Sequence, residues 1–358
     1  MTGLSIVAAA ALIAAQSPEV LTLDEAINIA AENAFDVRIS ETGFRRARAD
    51  QSELASNLGP KIDLIGNYNR NLNTTGNFFQ GPLETKTVNV TLTQILDVTG
   101  KTRRAYDAAR FNSESSKADM EATMSAVKGL VRTQYFDVLR TGALVGVQEE
   151  NLKSAEVRRD DAQIRFREGA ISEFDVLRLK TEVSQAEQDL LTAEVNYTIS
   201  KQSLNNLLGR AIDTDFAPRD VSTLPMVSLN EEELIEKARG TRGEIRSADF
   251  LLRSLKIRND LENMRGLPNL QLSLQYNRNL DPFPGQSVDS GFGALTMSWS
   301  LYSSGAEKAR QKASKADLDQ AGLRKAQVSL QIELEIRNAL TRLRTAEKSH
   351  DVAKSRLE

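Results

Sequence analysis

The stretch Pro268-Asn-Leu-Gln-Leu-Ser-Leu-Gln-Tyr-Asn-Arg-Asn279 decides the fold. Leu270, Leu272, Leu274 and Tyr276 alternate with Asn269, Gln271, Ser273, Gln275 and Asn277. Period two with one apolar and one fully polar side is the pattern of a strand between two different media. The chain writes it again at Pro60-Lys-Ile-Asp-Leu-Ile-Gly-Asn-Tyr-Asn-Arg-Asn71, and the prolines and the Tyr-Asn-Arg-Asn tetrapeptides keep one common offset. There Ile62, Leu64, Gly66 and Tyr68 form the alternating set. A second strand follows each copy. Val88, Val90 and Leu92 alternate with Asn89, Thr91 and Thr93; Leu295, Met297, Trp299 and Leu301 alternate with Ala294, Thr296, Ser298 and Ser300. Polar or Gly/Pro-containing loops, 72–85 and 280–291, join each pair, so the sequence predicts strand hairpins over 61–96 and 269–301.

Working outward, each hairpin lies between helical patterns. Leu23, Ala26, Ile27, Ala30 and Ala31 share one helix face after Thr22 or Asp24 as cap, and the helix is expected to run to about Leu58, before Gly59-Pro60. Leu234, Ile235 and Ala238 open the matching helix of the second copy, which ends near Gly266. Beyond Gly100 no proline occurs as far as Glu168, which predicts a helix on the order of 100 Å long. Its stripe is small at first (Ala105, Ala108, Ala109, Ala118, Ala122, Ala126) and then large (Tyr135, Phe136, Val138, Leu139, Leu144, Val145, Val147). Small seam residues suit close lengthwise packing as in coiled coils. The chain turns at Gly169, and a shorter partner returns through Val176, Leu177, Val183, Ala186, Leu190, Ala193, Tyr197 and Leu204, stopping at Gly209.

The expected organisation is therefore a signal peptide at 1–15, a first repeat at 16–210 with its helical hairpin at 101–208, a linker at 211–226, and a second repeat at 227–358 with a long helix from Gly305. Leu4 to Ala15 is apolar but too short to span a bilayer, and no Lys or Arg marks the residues before it. Carrying the Gly100–Gly169 span forward from Gly305 puts a second turn near position 374, past Glu358, so the second repeat is expected to be truncated.

Composition removes most chemistry. The 358 residues include no Cys and one His, which excludes thiolate metal sites, disulfides and a Cys nucleophile. A net charge of −3 gives no footprint for nucleic acid. Gly100-Lys101-Thr102 imitates the end of a phosphate loop, but Ile95 stands where the required first glycine belongs. His350 and the acid pairs Glu149-Glu150 and Asp160-Asp161 read as solvated helix faces, and no catalytic constellation accompanies them. No cofactor is expected.

Four strands have bare edges. They can pack on helices, pair with other subunits, or join a membrane barrel, whose walls need an apolar outer band, a polar inner face and aromatics near the strand ends. Helices too long for a globule favour the last of these.

The order of helix, strand hairpin, long helix, turn Gly169-Ala-Ile-Ser-Glu-Phe-Asp175 and returning helix, begun again after the linker, resembles the TolC-type outer-membrane efflux proteins over essentially the whole chain. The resemblance implies a mainly α protein with four β-strands, a homotrimer closing a twelve-stranded barrel in the outer membrane, and a periplasmic helical tunnel. It also implies a passive exit duct of an efflux or type I secretion system that meets a periplasmic adaptor protein and an inner-membrane pump. Gly169, Ala170, Ile171, Ser172 and Asp175 would form the periplasmic tip that docks the adaptor. Leu64, Tyr68, Val88, Val90, Leu92, Leu270, Leu272, Leu274, Tyr276, Leu295, Met297 and Trp299 would face lipid, and Gly100 and Gly305 would be the strand–helix joints. Asp175 has two readings, a helix cap, with Ser172 as the alternative cap, and a member of a polar network that holds the tip closed. The alternative from another class is a soluble periplasmic coiled-coil adaptor with a small β-domain.

Overall fold

A computed structural model describes residues 19–70, 84–221, 230–282 and 285–357. The expected signal segment, most of loop 72–85 and the end of the expected linker lie outside the described residues. Elements in chain order are β1 (Glu19–Leu21), α1 (Leu23–Asn33), α2 (Phe35–Ser56), β2 (Lys61–Arg70), β3 (Glu84–Leu96), α3 (Lys101–Arg167), α4 (Glu173–Leu207), β4 (Phe216–Pro218), α5 (Glu231–Thr241), α6 (Gly243–Asn263), β5 (Asn269–Asn279), β6 (Asp289–Ser298) and α7 (Ala306–Leu357). They fall into two compact units, Met1–Ile39 with Thr123–Val227, and Ser40–Ala122 with Ser228–Glu358.

In the first unit, a capping box starts α1: Thr22 Oγ1 accepts from the Glu25 amide, and the Glu25 carboxylate accepts from the Thr22 amide at 2.9 Å. Ala26, Ala30, Val127, Val131, Tyr135, Val138, Leu204, Leu208 and Phe216 make the core. The Tyr135 hydroxyl is the polar centre of that core. It lies 2.8 Å from the Leu21 carbonyl oxygen and 2.7 Å from that of Arg219, so its one proton serves the backbones flanking β1 and β4. These two strands pair in parallel. The expected linker thus contains a strand, too short for any period to announce it. Helices α3 and α4 pack antiparallel; Thr141 and Ser200 share a hydroxyl contact at 2.8 Å, and a Cβ on Gly142 would stand 3.1 Å from the Tyr197 ring. Phe136, Leu144, Val147 and Leu177, expected on the seams, are exposed. The buried positions are fewer because each long helix meets its partner along a narrow stripe.

In the second unit, α6 runs antiparallel to the first part of α3. Ser254 Oγ donates to the Ala108 carbonyl at 2.7 Å, and Ser115 Oγ contacts Ser247 at 3.0 Å. These stitches are seven residues apart on both helices, the heptad spacing of a left-handed supercoil. Phe111 stacks on Phe250 between them at 6.4 Å. Ala118 and Ala122 come so close to α6 that a Cβ on Gly243 would sit 2.8 Å from the Ala118 carbonyl oxygen. Ala126 is exposed and does not belong to this seam. Ala238, Ile245 and Ile332 join α5, α6 and α7.

The helix expected from Leu23 to about Leu58 is interrupted at Ala34, with ψ 132°, and its counterpart is interrupted at Arg242, with ψ 127°. The two breaks, like the caps Thr22 and Asn230, keep the offset that relates Pro60 to Pro268. The duplication therefore extends to backbone geometry that carries no helix-breaking residue.

The four long strands form a single antiparallel sheet in the order β2-β3-β5-β6. The two expected hairpins are one object, because β3 pairs with β5 from Leu96↔Leu270 to Thr87↔Asn279. The sheet has a helix end (Lys61, Leu96, Asn269, Ser298) and a loop end (Arg70, Glu84, Asn279, Asp289).

Candidate functional site

Directly paired residues of neighbouring strands lie on the same face of a sheet. The register sets Leu64 opposite Val90, Val90 opposite Tyr276, Leu92 opposite Leu274, Leu270 opposite Met297 and Leu272 opposite Leu295. Val88 and Tyr68 belong to the same set, as does Ile62 through Leu92. One face is therefore apolar across all four strands. The other carries Asp63, Asn67, Thr87, Asn89, Thr91, Thr93, Gln271, Ser273, Gln275 and Thr296, with Ile65, Ile95, Phe292 and Ala294 as its apolar exceptions.

Among the described residues neither face is covered. Leu64 is 73% exposed, Leu295 63% and Met297 62%. Strands of 10 to 13 residues match the length that crosses a bilayer at a barrel's tilt. At the loop end the apolar face gives way to ion pairs, Arg70 with Glu84 at 3.8 Å and Arg278 with Asp289 at 3.9 Å, and the Tyr276 hydroxyl donates to Asp289 at 2.7 Å. One amide interrupts the apolar face near the helix end. Gln94 stands opposite Leu272 and folds its Nε2 onto the carbonyls of Leu58 (3.1 Å) and Ile95 (2.8 Å), so it presents little polarity outward.

Two strand expectations need correction. β6 ends at Ser298, so Trp299 and Leu301 lie beyond the ladder rather than in it. The partner position for Trp299 would be Pro268, which has no N–H to continue pairing. Trp299 instead donates its indole N–H to the Gly266 carbonyl at 2.7 Å and keeps its ring 55% exposed beside the sheet's end. At the joints, Gly100 has φ 74° and Gly305 φ 84°, and Asp97 receives the amides of Thr102 (3.0 Å) and Arg103 (2.9 Å) at the start of α3. Lys101 makes no phosphate loop; its ammonium donates to the Leu267 carbonyl at 2.6 Å.

The turn between α3 and α4 is built from two standard caps. Gly169, at φ 74°, sends its amide to the Phe166 carbonyl at 2.9 Å, and Ala170 sends its own to Arg165 at 2.8 Å. This nested pair is a Schellman end, whose left-handed residue is glycine because no Cβ opposes it. Ser172 then opens α4 through a capping box: its hydroxyl donates to Asp175 at 2.6 Å, and the Asp175 amide returns to Ser172 Oγ at 3.2 Å. The Ser172 hydroxyl, then its backbone N–H, holds the Asp175 carboxyl below the ordinary carboxylate range. Ile171 is half-buried, whereas Phe166, Phe174 and Leu177 are exposed around the turn. Sequence reasoning set Leu177 on the seam and passed over Phe174. The buried Val176 sets the seam side of α4, one residue before Leu177 and two after Phe174.

The family model described as outer membrane efflux protein matches residues 26–210, more than half of the chain. The chain belongs to that family. Solved structures share the fold: the Campylobacter jejuni CmeC outer membrane channel (TM-score 0.82, 19% identity, 93% of this chain and 73% of that one) and the Neisseria gonorrhoeae MtrE outer membrane channel in its open state (0.74, 18%, 93% and 75%). The outer-membrane channel OprN is similar at a TM-score of 0.76 and 18% identity, over 91% of this chain and 75% of that one. Nodulation protein T of Rhizobium leguminosarum bv. viciae is 29% identical over 147 residues, 39% of this chain; the matched part is 30% of that protein's length. No helix of the described residues is long and apolar enough to cross a membrane.

Proposed function

We propose that the chain is the outer-membrane exit duct of a tripartite efflux or type I secretion system, extending into the periplasm and doing no chemistry of its own. The observation that carries this reading is the four-stranded sheet with a bare apolar face, a bare polar face and two unpaired edges. Left in water, each exposed Leu or Met of that face forgoes roughly 1.5–3 kcal/mol of burial. Hydrocarbon outside and water inside satisfy both faces, and closure with sister sheets satisfies β2 and β6. Three copies give the twelve strands that the family resemblance implies. The soluble adaptor reading requires a cover for the apolar face, and the described residues supply none.

Recruitment runs through the turn from Gly169 to Asp175, where Ala170 and Ile171 present backbone beside the exposed Phe174 to a periplasmic adaptor, which links the duct to an energised inner-membrane pump. Residues 1–15 direct export. The test is direct. Purified protein should need detergent for extraction, migrate as a trimer that collapses to monomer on boiling, and conduct ions in planar bilayers. A freely soluble particle that never conducts refutes the duct.

A further inference from the structure

The duplication relates the strands of the sheet to one another. β5 repeats β2, with Asn269 in the place of Lys61 after the prolines. β6 repeats β3, with Ser298 in the place of Thr93 and Gly305 in that of Gly100. Lys61 pairs with Thr93 and Asn269 with Ser298, so the two hairpins have one register. Their far ends differ. β3 runs on past Thr93 through Gln94, Ile95 and Leu96, because β5 lies on its other side and supplies Leu272, Gln271 and Leu270 as partners. β6 stops at Ser298, and its other side is an open edge. Trp299, Ser300 and Leu301 hold the positions that Gln94, Ile95 and Leu96 hold in the first copy.

Trp299 is already held as Gln94 is. The Gln94 amide donates to the Leu58 carbonyl at 3.1 Å, and the Trp299 indole donates at 2.7 Å to the carbonyl of Gly266, the counterpart of Leu58. What Trp299 lacks is a strand beside it. Leu301 after it is 78% exposed, and on β2, the other open edge, Ile62 and Leu64 are 70% and 73% exposed. β2 is the strand that β5 repeats, so the partner that completes β3 within the chain has its counterpart at the far edge of the same sheet.

We propose that β6 is completed by β2 of a second copy, in the register that joins β3 to β5. The inference rests on the duct reading above. Carried across, that register sets Trp299 opposite the partner's Leu64, Ser300 opposite the partner's Asp63 and Leu301 opposite the partner's Ile62. β6 then spans 289–301, the length of β3. Further along, Met297 meets the partner's Gly66, Thr296 the partner's Asn67 and Leu295 the partner's Tyr68. The apolar set of each strand meets the apolar set of the other, whereas a slip of one residue would exchange the faces.

A slip of two residues would keep the faces, and cysteine pairs separate it from the proposed seam. The chain has no Cys of its own. Directly opposed Cα atoms lie about 4.5–5.5 Å apart and those displaced by two residues about 7–8 Å, past the reach of a disulfide. After mild oxidation of the full chain in detergent, N67C/T296C and D63C/S300C, both on the polar face, should each give a covalent trimer on a boiled, non-reducing gel. The displaced pairs I65C/T296C and N69C/T296C, and each single-cysteine variant, should give monomer. Linkage of a displaced pair in place of N67C/T296C overturns the register, and a silent D63C/S300C beside a linked N67C/T296C overturns the completion of β6. The unboiled band and the conductance before oxidation keep the two failures apart. A conducting trimer that does not cross-link refutes the seam alone, whereas a chain that forms no trimer refutes the duct and the seam with it.

Discussion

Adjacent residues Leu274 and Ser273 offer the sharpest test of the wall, because they sit mid-strand on opposite faces. Leu274 stands opposite Leu92 and Gly293 on the apolar face, and Ser273 opposite Thr93 and Ala294 on the polar one. Leu274→Arg puts a guanidinium toward hydrocarbon near the bilayer centre, at about 2–4 kcal/mol per copy, or about 6–12 kcal/mol for three copies. Ser273→Arg puts the same group into water, where surface substitutions change stability by about 0.5 kcal/mol or less. The assay is the urea midpoint for refolding into lipid vesicles, followed by the boiling-sensitive trimer band, with single-channel recording on what folds. L274R should fail to form the band or lose it at much lower urea. S273R should fold as wild type does and shift ion selectivity toward anions. Equal destabilisation of both variants, or tolerance of L274R with loss of S273R, would refute the assignment of faces and with it the membrane wall.

Three further outcomes follow from the first unit. Gly209 has φ 69°, and a Cβ there would stand 2.3 Å from the Asn33 carbonyl oxygen, so Gly209→Ala should cost about 2–4 kcal/mol in a thermal or denaturant melt; an unchanged midpoint would sink this reading of the α1–α4 contact. Tyr135→Phe leaves two buried carbonyls without their shared donor and should cost about 1–3 kcal/mol, with faster amide exchange around β1 and β4 as its local signature. Burial raises the Tyr135 hydroxyl above its ordinary range, so that donor is retained at alkaline pH longer than a free phenol would be. Asp175 is held below its ordinary range, so the stability it lends the turn is complete above the unfolded carboxylate value and is lost as pH falls through the folded one. Protection of the amides of residues 173–176, measured relative to their intrinsic exchange, should fall in that acid window and stay level there in Asp175→Ala. If the same carboxylate also holds the tip closed, Asp175→Ala raises conductance at neutral pH, and an unchanged conductance leaves the cap alone.

Particular elements show how far the sequence reaches. Leu270 to Tyr276 announces a strand and its two faces because side-chain alternation is a local property of the backbone, and all the expected lipid-facing positions within β2, β3, β5 and β6 share one face in the observed register. Trp299 escaped that logic, since its strand ends where Pro268 ceases to be a partner. The breaks at Ala34 and Arg242 escaped it too, since neither residue is a helix breaker.

From its own string of residues this protein specified strand faces, long helices, the caps at Thr22 and Ser172 and the duplication, because each depends on neighbours within one turn or one pleat. Only the tertiary structure decided that β3 joins β5, that the expected linker supplies β4, and that serines seven residues apart stitch α3 to α6. Those facts rest on residues distant along the chain. Their meeting depends on which surfaces remain to be covered once the local pieces exist, and no local period records that.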